Sequence, residues 1–95
     1  MVEPLQAIVW RLPTGAAMMA ANFYAHKLNQ EVGKWAASRN IDPDILKWTN
    51  VGWYRGYKAP HRMLTMPKEY ATMFLLSWTG KPPNYIDEYV HPDEQ

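Results

Sequence analysis

The sequence predicts a small all-α domain, a bundle of two main helices over about 15–39 and 66–79. Three observations favour this fold class: one long segment has apolar residues at helical spacing, a later segment is apolar on most sides, and prolines and glycines stand where helices begin and end. Short helices near 4–11 and 43–48 are expected to close the core. An extended C-terminal tail follows.

Length and composition limit the number of domains and the classes of protein to which the chain can belong. The 95-residue chain favours one domain with a modest core, which we assign to 1–80, followed by a Pro-rich and then acidic tail over 81–95. The chain has no Cys, which excludes a disulfide framework and a thiol nucleophile. The first ten residues do not resemble a signal peptide, and the longest apolar run, 73–78, is too short to cross a bilayer. The sequence therefore predicts a cytoplasmic protein without a membrane partner.

The first predicted helix covers 4–11. Four apolar residues fall at i, i+3, i+4 and i+7, on one helical face: Leu5, Ile8, Val9 and Leu12. Pro4 suits the first helical position and Pro13 ends the element. A β-strand across 7–10, AIVW, is the competing interpretation.

The long helix over 15–39 has the clearest signals. Thr14 is a plausible N-cap, and the helix is expected to end before Asn40. Its apolar residues are spaced alternately by three and four, which is typical of a core-facing stripe. The stripe consists of Met18, Ala21, Ala25, Leu28, Val32 and Trp35.

Proline and acidic residues mark the remaining helices. Asp42 caps the short helix near 43–48, with Pro43 at its first position. Pro67 lies in the first turn of the helix over 66–79, and Gly80 stops it. The chain after Gly80 is expected to be extended and its last residues, HPDEQ, to be disordered.

Charge is segregated along the chain although the net charge is +1. Residues 1–44 are neutral overall, residues 45–81 carry a charge of +5, and residues 82–95 carry −4. Such segregation usually concerns partners rather than the fold. An alternative stays open, in which the acidic tail folds back onto the basic middle and neutralises it.

The segment 47–62, KWTNVGWYRGYKAPHR, combines aromatic and basic side chains. The whole chain has five Trp, six Tyr and two Phe, which is more than a small core easily houses. The sequence therefore predicts that some rings of this segment are exposed and form a binding surface. Packing of the segment onto its own core is the competing possibility.

No catalytic or metal site is predicted. The three histidines, His26, His61 and His91, stand apart, without the grouping that metal ligands require. Neither Ser38 nor Ser77 lies in a nucleophile motif, and no Gly-rich phosphate loop is present. We therefore expect a protein that is not an enzyme and has no cofactor.

A protein partner explains the composition better than nucleic acid does. Interfaces are enriched in Trp, Tyr, Met and Arg, whereas the modest positive charge of the chain would give a weak, salt-dependent phosphate contribution. Single-stranded nucleic acid bound by 47–62 is the alternative. The oligomeric state stays open. The predicted partner-binding residues are Trp53, Tyr54, Arg55, Tyr57, Arg62, Pro67, Pro82 and Pro83.

The segments LQAIVWRLPTGAAMMAANFYAHKLN and HRMLTMPKEYATMFLLSWTGKPPNYIDEY carry a resemblance. In size, order of elements, Trp-rich character and absence of Cys, the chain resembles the small anti-RecBCD proteins of lambdoid phages. The resemblance implies a phage protein in the host cytoplasm that binds the RecBCD helicase–nuclease and changes its activity by binding. It also implies an association with a host peptidyl-prolyl isomerase, for which Pro67 is the first candidate and Pro82–Pro83 the second.

Overall fold

The computed structural model describes residues 4–13 and 18–89, and it contains a four-stranded antiparallel sheet and two α-helices. The predicted all-α class is therefore wrong, and the fold is mixed α/β. In chain order the elements are β1 (Leu5–Arg11), α1 (Met18–Ser38), a 3₁₀ helix (Pro43–Ile45), β2 (Lys47–Val51), β3 (His61–Pro67), α2 (Lys68–Ser77) and β4 (Tyr85–Glu88).

The strands lie in the order β2-β3-β1-β4, and every neighbouring pair is antiparallel. With the chain order βαββαβ, this is the split β-α-β, or ferredoxin-like, topology. The topology brings β4, from the acidic tail, alongside β1 at the opposite edge of the sheet from β2. Many unrelated functions occur on this topology, so it does not indicate a function by itself.

The two central strands explain why the helix over 4–11 is wrong. Ala7, Ile8, Val9 and Trp10 are all fully buried, because β1 is covered on both faces. A strand buried on both faces lacks the alternation of apolar and polar residues that identifies a strand. The same holds for β3, in which Met63 to Met66 are buried. The competing interpretation of a strand across 7–10 is correct.

Two other predicted helices are also corrected. The helix near 43–48 is a single 3₁₀ turn, with the Asp42 side chain accepting a 2.9 Å hydrogen bond from the Asp44 N–H, and the chain then enters β2. Met66 and Pro67, the predicted start of the helix over 66–79, are instead the end of β3. The helix itself begins at Lys68 and ends at Ser77. In both cases a proline lies where a helical segment meets a strand.

The long predicted helix is present as α1. Its end is fixed by Asn40, which has a φ of 55°, while the Ile41 N–H donates to the Ala36 carbonyl at 3.0 Å and the Asn40 N–H donates to the Ala37 carbonyl at 3.2 Å. This hydrogen-bond pattern is a Schellman motif. The predicted N-cap, Thr14, lies outside the described residues.

Both helices pack on one face of the sheet. The core there contains Leu28, Val32 and Trp35 from α1, Ala71 and Phe74 from α2, and Ile8, Trp10, Leu64 and Met66 from the central strands. Trp10 is its largest fully buried side chain, and its indole N–H donates to the Lys81 carbonyl at 2.7 Å. Within the described part of the chain, neither helix has the length and apolar character needed to cross a membrane.

The opposite face of the sheet has a smaller core. Ala7, Val9, Val51 and Met63 are buried there beneath Tyr54, and Tyr85 and Tyr89 of the last described segment pack against them. The covering side chain of this face therefore comes from the loop between β2 and β3. This loop is the middle of the segment 47–62.

Candidate protein-binding surface

A tight turn forms the tip of the hairpin that joins β2 to β3. Tyr54 and Tyr57 exchange backbone hydrogen bonds of 3.0 and 2.9 Å, so Arg55 and Gly56 form a two-residue turn. The φ angles of Arg55 and Gly56 are 52° and 84°. Two consecutive positive φ angles define a type I′ turn, which matches the twist of the flanking strands and favours glycine at its second position.

Tyr54 anchors this turn to the sheet. Its ring is buried, with its centroid 5.2 Å from that of Tyr85, and its hydroxyl donates a 2.5 Å hydrogen bond to the Asp87 carboxylate in β4. Burial, followed by the hydrogen bond to Asp87, raises the pKa of the Tyr54 phenol well above its usual value. This shift favours the protonated phenol, which is the form that donates the hydrogen bond to Asp87.

Arg55 adds a second link from the turn to β4. Its guanidinium forms an ion pair with the Asp87 carboxylate and lies over the Tyr85 ring, 5.1 Å from the centroid. The Arg55 side chain is still 56% exposed. Asp87 therefore binds both residues that begin the turn, and in this contact the acidic tail does fold back onto the basic middle.

Trp53 and Tyr57, which flank the anchored residues, project from the protein. They are 49% and 51% exposed, whereas Tyr54 between them is buried. The guanidinium of Arg11, at the end of β1, lies over the Tyr57 ring, 5.1 Å from its centroid. We call Arg11, Trp53, Arg55, Tyr57 and the exposed Lys58 the hairpin-tip surface.

Arg62 lies apart from the hairpin-tip surface. It is paired in the sheet with Trp10 and Asn50, whose side chains share the helix-covered face. Its guanidinium donates to Asn50 at 2.7 Å and to Asn29 of α1 at 3.0 Å, and it lies 4.8 Å from the Trp48 ring centroid. Burial lowers the pKa of Arg62. The structure thus gives this residue a role in attaching α1 to the sheet.

The predicted prolines lie at two ends of the sheet. Pro67 is half-buried at the far end of β3, roughly 20 Å from the tip by strand length, beside Pro4. Pro82 is exposed and Pro83 half-buried just before β4, where the Asn84 side chain accepts a 2.7 Å hydrogen bond from the Arg11 N–H. Because Arg11 also contacts Tyr57, the structure brings Pro82 and Pro83 to the same end of the sheet as the tip, but not Pro67.

A buried histidine lies beneath the turn. His61 is 1% exposed, with its ring centroid 5.8 Å from that of Tyr54, and its Nδ1 lies 2.7 Å from the Ala59 carbonyl. Its Nε2 has no hydrogen-bond partner among the described residues. Burial, together with the nearby Arg11 charge, lowers the pKa of His61. Within 4–13 and 18–89, no three His, Asp or Glu side chains are grouped as metal ligands.

Sequence reasoning missed two residues of this region, Arg11 and Asp87. Arg11 belongs to a segment predicted as a helix, which gave no reason to place it near Tyr57. For Asp87 a signal was available, because an acidic tail that neutralises the basic middle was one of the open alternatives. The pairing of β4 with β1 makes that contact possible.

No protein-family model, curated protein or solved structure matches this chain. Function therefore has to be inferred from the residues of the site and their geometry.

Proposed function

We propose that this protein binds another protein through the hairpin-tip surface and, without catalysing a reaction, modulates or inhibits a host enzyme complex. The observation that supports the proposal most is the pair of half-exposed rings, Trp53 and Tyr57, on a turn held by Tyr54, Arg55 and Asp87. A ring on a fixed backbone loses little conformational freedom when it binds. It can therefore serve as an anchor at low entropic cost.

The chemistry of the surface also fits a protein partner. Trp, Tyr and Arg are the residue types that most often dominate binding energy in interfaces. Arg11 and Lys58 are exposed beside the rings, where they would favour an approaching acidic surface. We expect the two rings to be enclosed by the partner and the cations to lie at the rim.

Nucleic acid has less support as the ligand. Of the four Lys and Arg in 47–62, Arg55 is paired with Asp87 and Arg62 is directed to asparagines on the helix-covered face, which reduces the charge available for phosphates. Single-stranded RNA is commonly bound by rings on the open face of a four-stranded sheet. Here Val9 and Met63, on the central strands of that face, are buried beneath Tyr54.

The candidate partner comes from the resemblance to anti-RecBCD proteins. It would place the protein in the cytoplasm of a bacterial host, bound to RecBCD. The order of elements was one part of that resemblance, and the structure has strands where helices were expected. RecBCD as the partner therefore rests on size, Trp content and the absence of Cys.

Recruitment of a prolyl isomerase is a subsidiary proposal. An isomerase needs an accessible X–Pro bond, and Pro67 is paired with Leu5 at the end of a central strand. Pro82 is exposed and precedes a second proline. We therefore favour Pro82–Pro83 over Pro67, reversing the order inferred from the sequence.

Degradation of linear double-stranded DNA by purified RecBCD tests the proposal. Wild-type protein is expected to slow degradation, and the double variant Trp53→Ala/Tyr57→Ala to have lost this effect while staying folded by circular dichroism. Phe23→Ala is the matched control, because Phe23 is a 65% exposed ring on α1. It should inhibit as wild type does.

The possible results test separately the binding surface, the identity of the partner and the class of ligand. Inhibition that survives the double variant would remove the hairpin-tip surface from the interface. No inhibition and no binding by wild-type protein would exclude RecBCD as the partner. Tight binding of a single-stranded oligonucleotide at physiological salt, lost in the double variant, would replace the protein partner with nucleic acid.

A further inference from the structure

A groove runs between α1 and the segment 77–81, which consists of the last residue of α2 and the four residues after it. It consists of two neighbouring hollows of about 550 and 270 Å³, which adjoin at the lining residues they share, Glu31, Thr79 and Gly80. The larger hollow is bounded by Trp35, Arg39 and Trp78, and the smaller by Tyr24, Lys27 and Lys81. None of these residues belongs to the hairpin-tip surface.

The groove is strongly basic. Among the residues that the structure describes, four cations, Lys27, Lys34, Arg39 and Lys81, line it together with a single acid, Glu31. Two of the cations lie over aromatic rings: the Arg39 guanidinium is 5.3 Å from the Trp35 ring centroid and the Lys81 ammonium is 5.0 Å from that of Tyr24. Such stacking restrains long side chains and holds their charge beside the rings that line the groove.

The walls of the groove are held in place by side-chain contacts. The Trp35 indole N–H donates to the Ser77 hydroxyl at 2.8 Å, and the Trp78 indole N–H donates to the Lys81 carbonyl at 2.8 Å. Gly80 lies so close to the Trp78 ring that a Cβ atom there would be 2.8 Å from Cε2 and 2.9 Å from Cη2. Only glycine permits this approach, which is a sign of a closely fitted wall.

The length of the groove limits its ligand. The lining residues extend from Tyr24 of α1 to Arg39, the residue after its end, which corresponds to roughly 22 Å at 1.5 Å per residue. An extended peptide covers this distance with about seven residues. The groove is thus of the right length for a short linear segment.

We propose that this groove binds an extended acidic peptide segment of a partner protein. Glu31 lies between Lys27 and Lys34 in the part common to both hollows. The peptide should therefore carry acidic residues towards its ends and a neutral or basic residue at its centre. A nucleic-acid strand would place a phosphate opposite Glu31, because its charge is uniform along the backbone. The proposal for the groove is independent of the function proposed for the hairpin-tip surface.

Fluorescence anisotropy with a labelled seven-residue peptide tests the assignment. The peptide has two glutamates at each end and a central serine, and it is titrated with the full chain at about 50 mM salt, where screening is moderate. We expect Lys34→Glu/Arg39→Glu to weaken binding by roughly tenfold or more. Lys58→Glu, a charge reversal on the hairpin-tip surface, should change binding by less than about twofold.

Two further titrations determine whether the groove selects this peptide. A peptide with a central glutamate should bind wild-type protein more weakly than the serine peptide, and Glu31→Gln should remove the difference. Equal binding of both peptides to wild-type protein, or equal losses in the groove and tip variants, would overturn the proposal. The proposal would also be overturned if a single-stranded oligonucleotide bound more tightly than the serine peptide and its binding depended on Lys34 and Arg39. Trp53→Ala/Tyr57→Ala should leave peptide binding unchanged, so the two proposals can fail separately.

Discussion

Asp87 is the single residue on which the geometry of the hairpin tip most depends. Its carboxylate accepts a hydrogen bond from Tyr54 and forms an ion pair with Arg55. Both partners begin the turn that presents Trp53 and Tyr57. A carboxylate in β4 therefore holds a turn whose first two residues, Tyr54 and Arg55, lie 33 and 32 residues earlier in the chain.

Removing the Tyr54 hydroxyl should destabilise the protein. We expect Tyr54→Phe to lower the free energy of unfolding by about 1 kcal/mol, because the hydrogen bond to the partly exposed Asp87 is lost. Urea denaturation followed by tryptophan fluorescence measures this change. Tyr57→Phe is the control, since Tyr57 is half-exposed, and it should have an effect within about 0.5 kcal/mol. Equal effects of the two substitutions would contradict the anchoring role of Tyr54.

His61 should make stability depend on pH. Burial lowers the pKa of His61 in the folded protein, so the unfolded chain takes up a proton at a higher pH than the folded one does. The free energy of unfolding should therefore decrease as the pH falls below about 6.5, the usual histidine value. Urea denaturation of wild-type protein and His61→Phe at pH 7 and pH 5 measures the difference. The wild type should lose more stability over this interval than the variant.

His26→Gln provides the comparison, because His26 is an exposed histidine on α1. It should keep the pH dependence of the wild type. A loss of stability towards pH 5 that persists in His61→Phe would assign the dependence to other groups.

At the scale of elements, the sequence correctly predicts a helix that has one apolar face. It gives the wrong secondary structure for strands that are buried on both faces. The long helix is recognisable because Leu28, Val32 and Trp35 recur at helical spacing and face the core, while the residues on the opposite side of α1 are exposed. β1 and β3 show no such contrast. Their apolar runs also fit a helix, and their pairing links residues that are 50 to 62 positions apart. Local periodicity cannot supply that information.

The same limit applies to the candidate site. Exposure of Trp53 and Tyr57 was predicted from the surplus of rings, and it is observed. The burial of Tyr54 between them was not predicted, because it requires the twisted turn and the distant Asp87. Arg62 was grouped with the tip because it is near in sequence. It lies in β3, however, paired with Trp10, and its side chain is therefore on the face of the sheet that carries the helices.

Gly33 should be a position at which α1 can be stabilised. It lies within the helix, and a Cβ atom there would meet no neighbour within 4 Å. Gly33→Ala should therefore raise the free energy of unfolding by about 1 kcal/mol, since alanine favours the helix. For a domain of this size, the expected rise in Tm is about 4–8 °C. Thermal denaturation followed by circular dichroism measures it.

Gly56→Ala is the contrasting substitution. The φ angle of Gly56 is 84°, in the left-handed region that strains an alanine. It should lower the Tm although a Cβ atom there also meets no neighbour within 4 Å. Stabilisation by both substitutions would contradict the turn conformation that presents the hairpin-tip surface.

At the scale of the whole molecule, the sheet separates two surfaces. The hairpin tip carries the aromatic side chain, Tyr54, that covers one face of the sheet, whereas α1 and its basic groove lie on the other face. Of the thirteen aromatic side chains, four are exposed: Trp53 and Tyr57 on the tip, and Phe23 and Tyr24 on α1. The surplus of rings therefore divides between these two regions. Each of our two proposals assigns a protein partner to one of these regions.

An affinity pull-down from bacterial lysate tests most directly whether Trp53 and Tyr57 bind a protein partner. Tagged wild-type protein is compared with Trp53→Ala/Tyr57→Ala and with Phe23→Ala, and captured proteins are identified by mass spectrometry. We expect a defined partner that is retained by wild type and by Phe23→Ala and is lost from the double variant. Recovery of the same partner by a folded double variant, in undiminished amount, would contradict the claim.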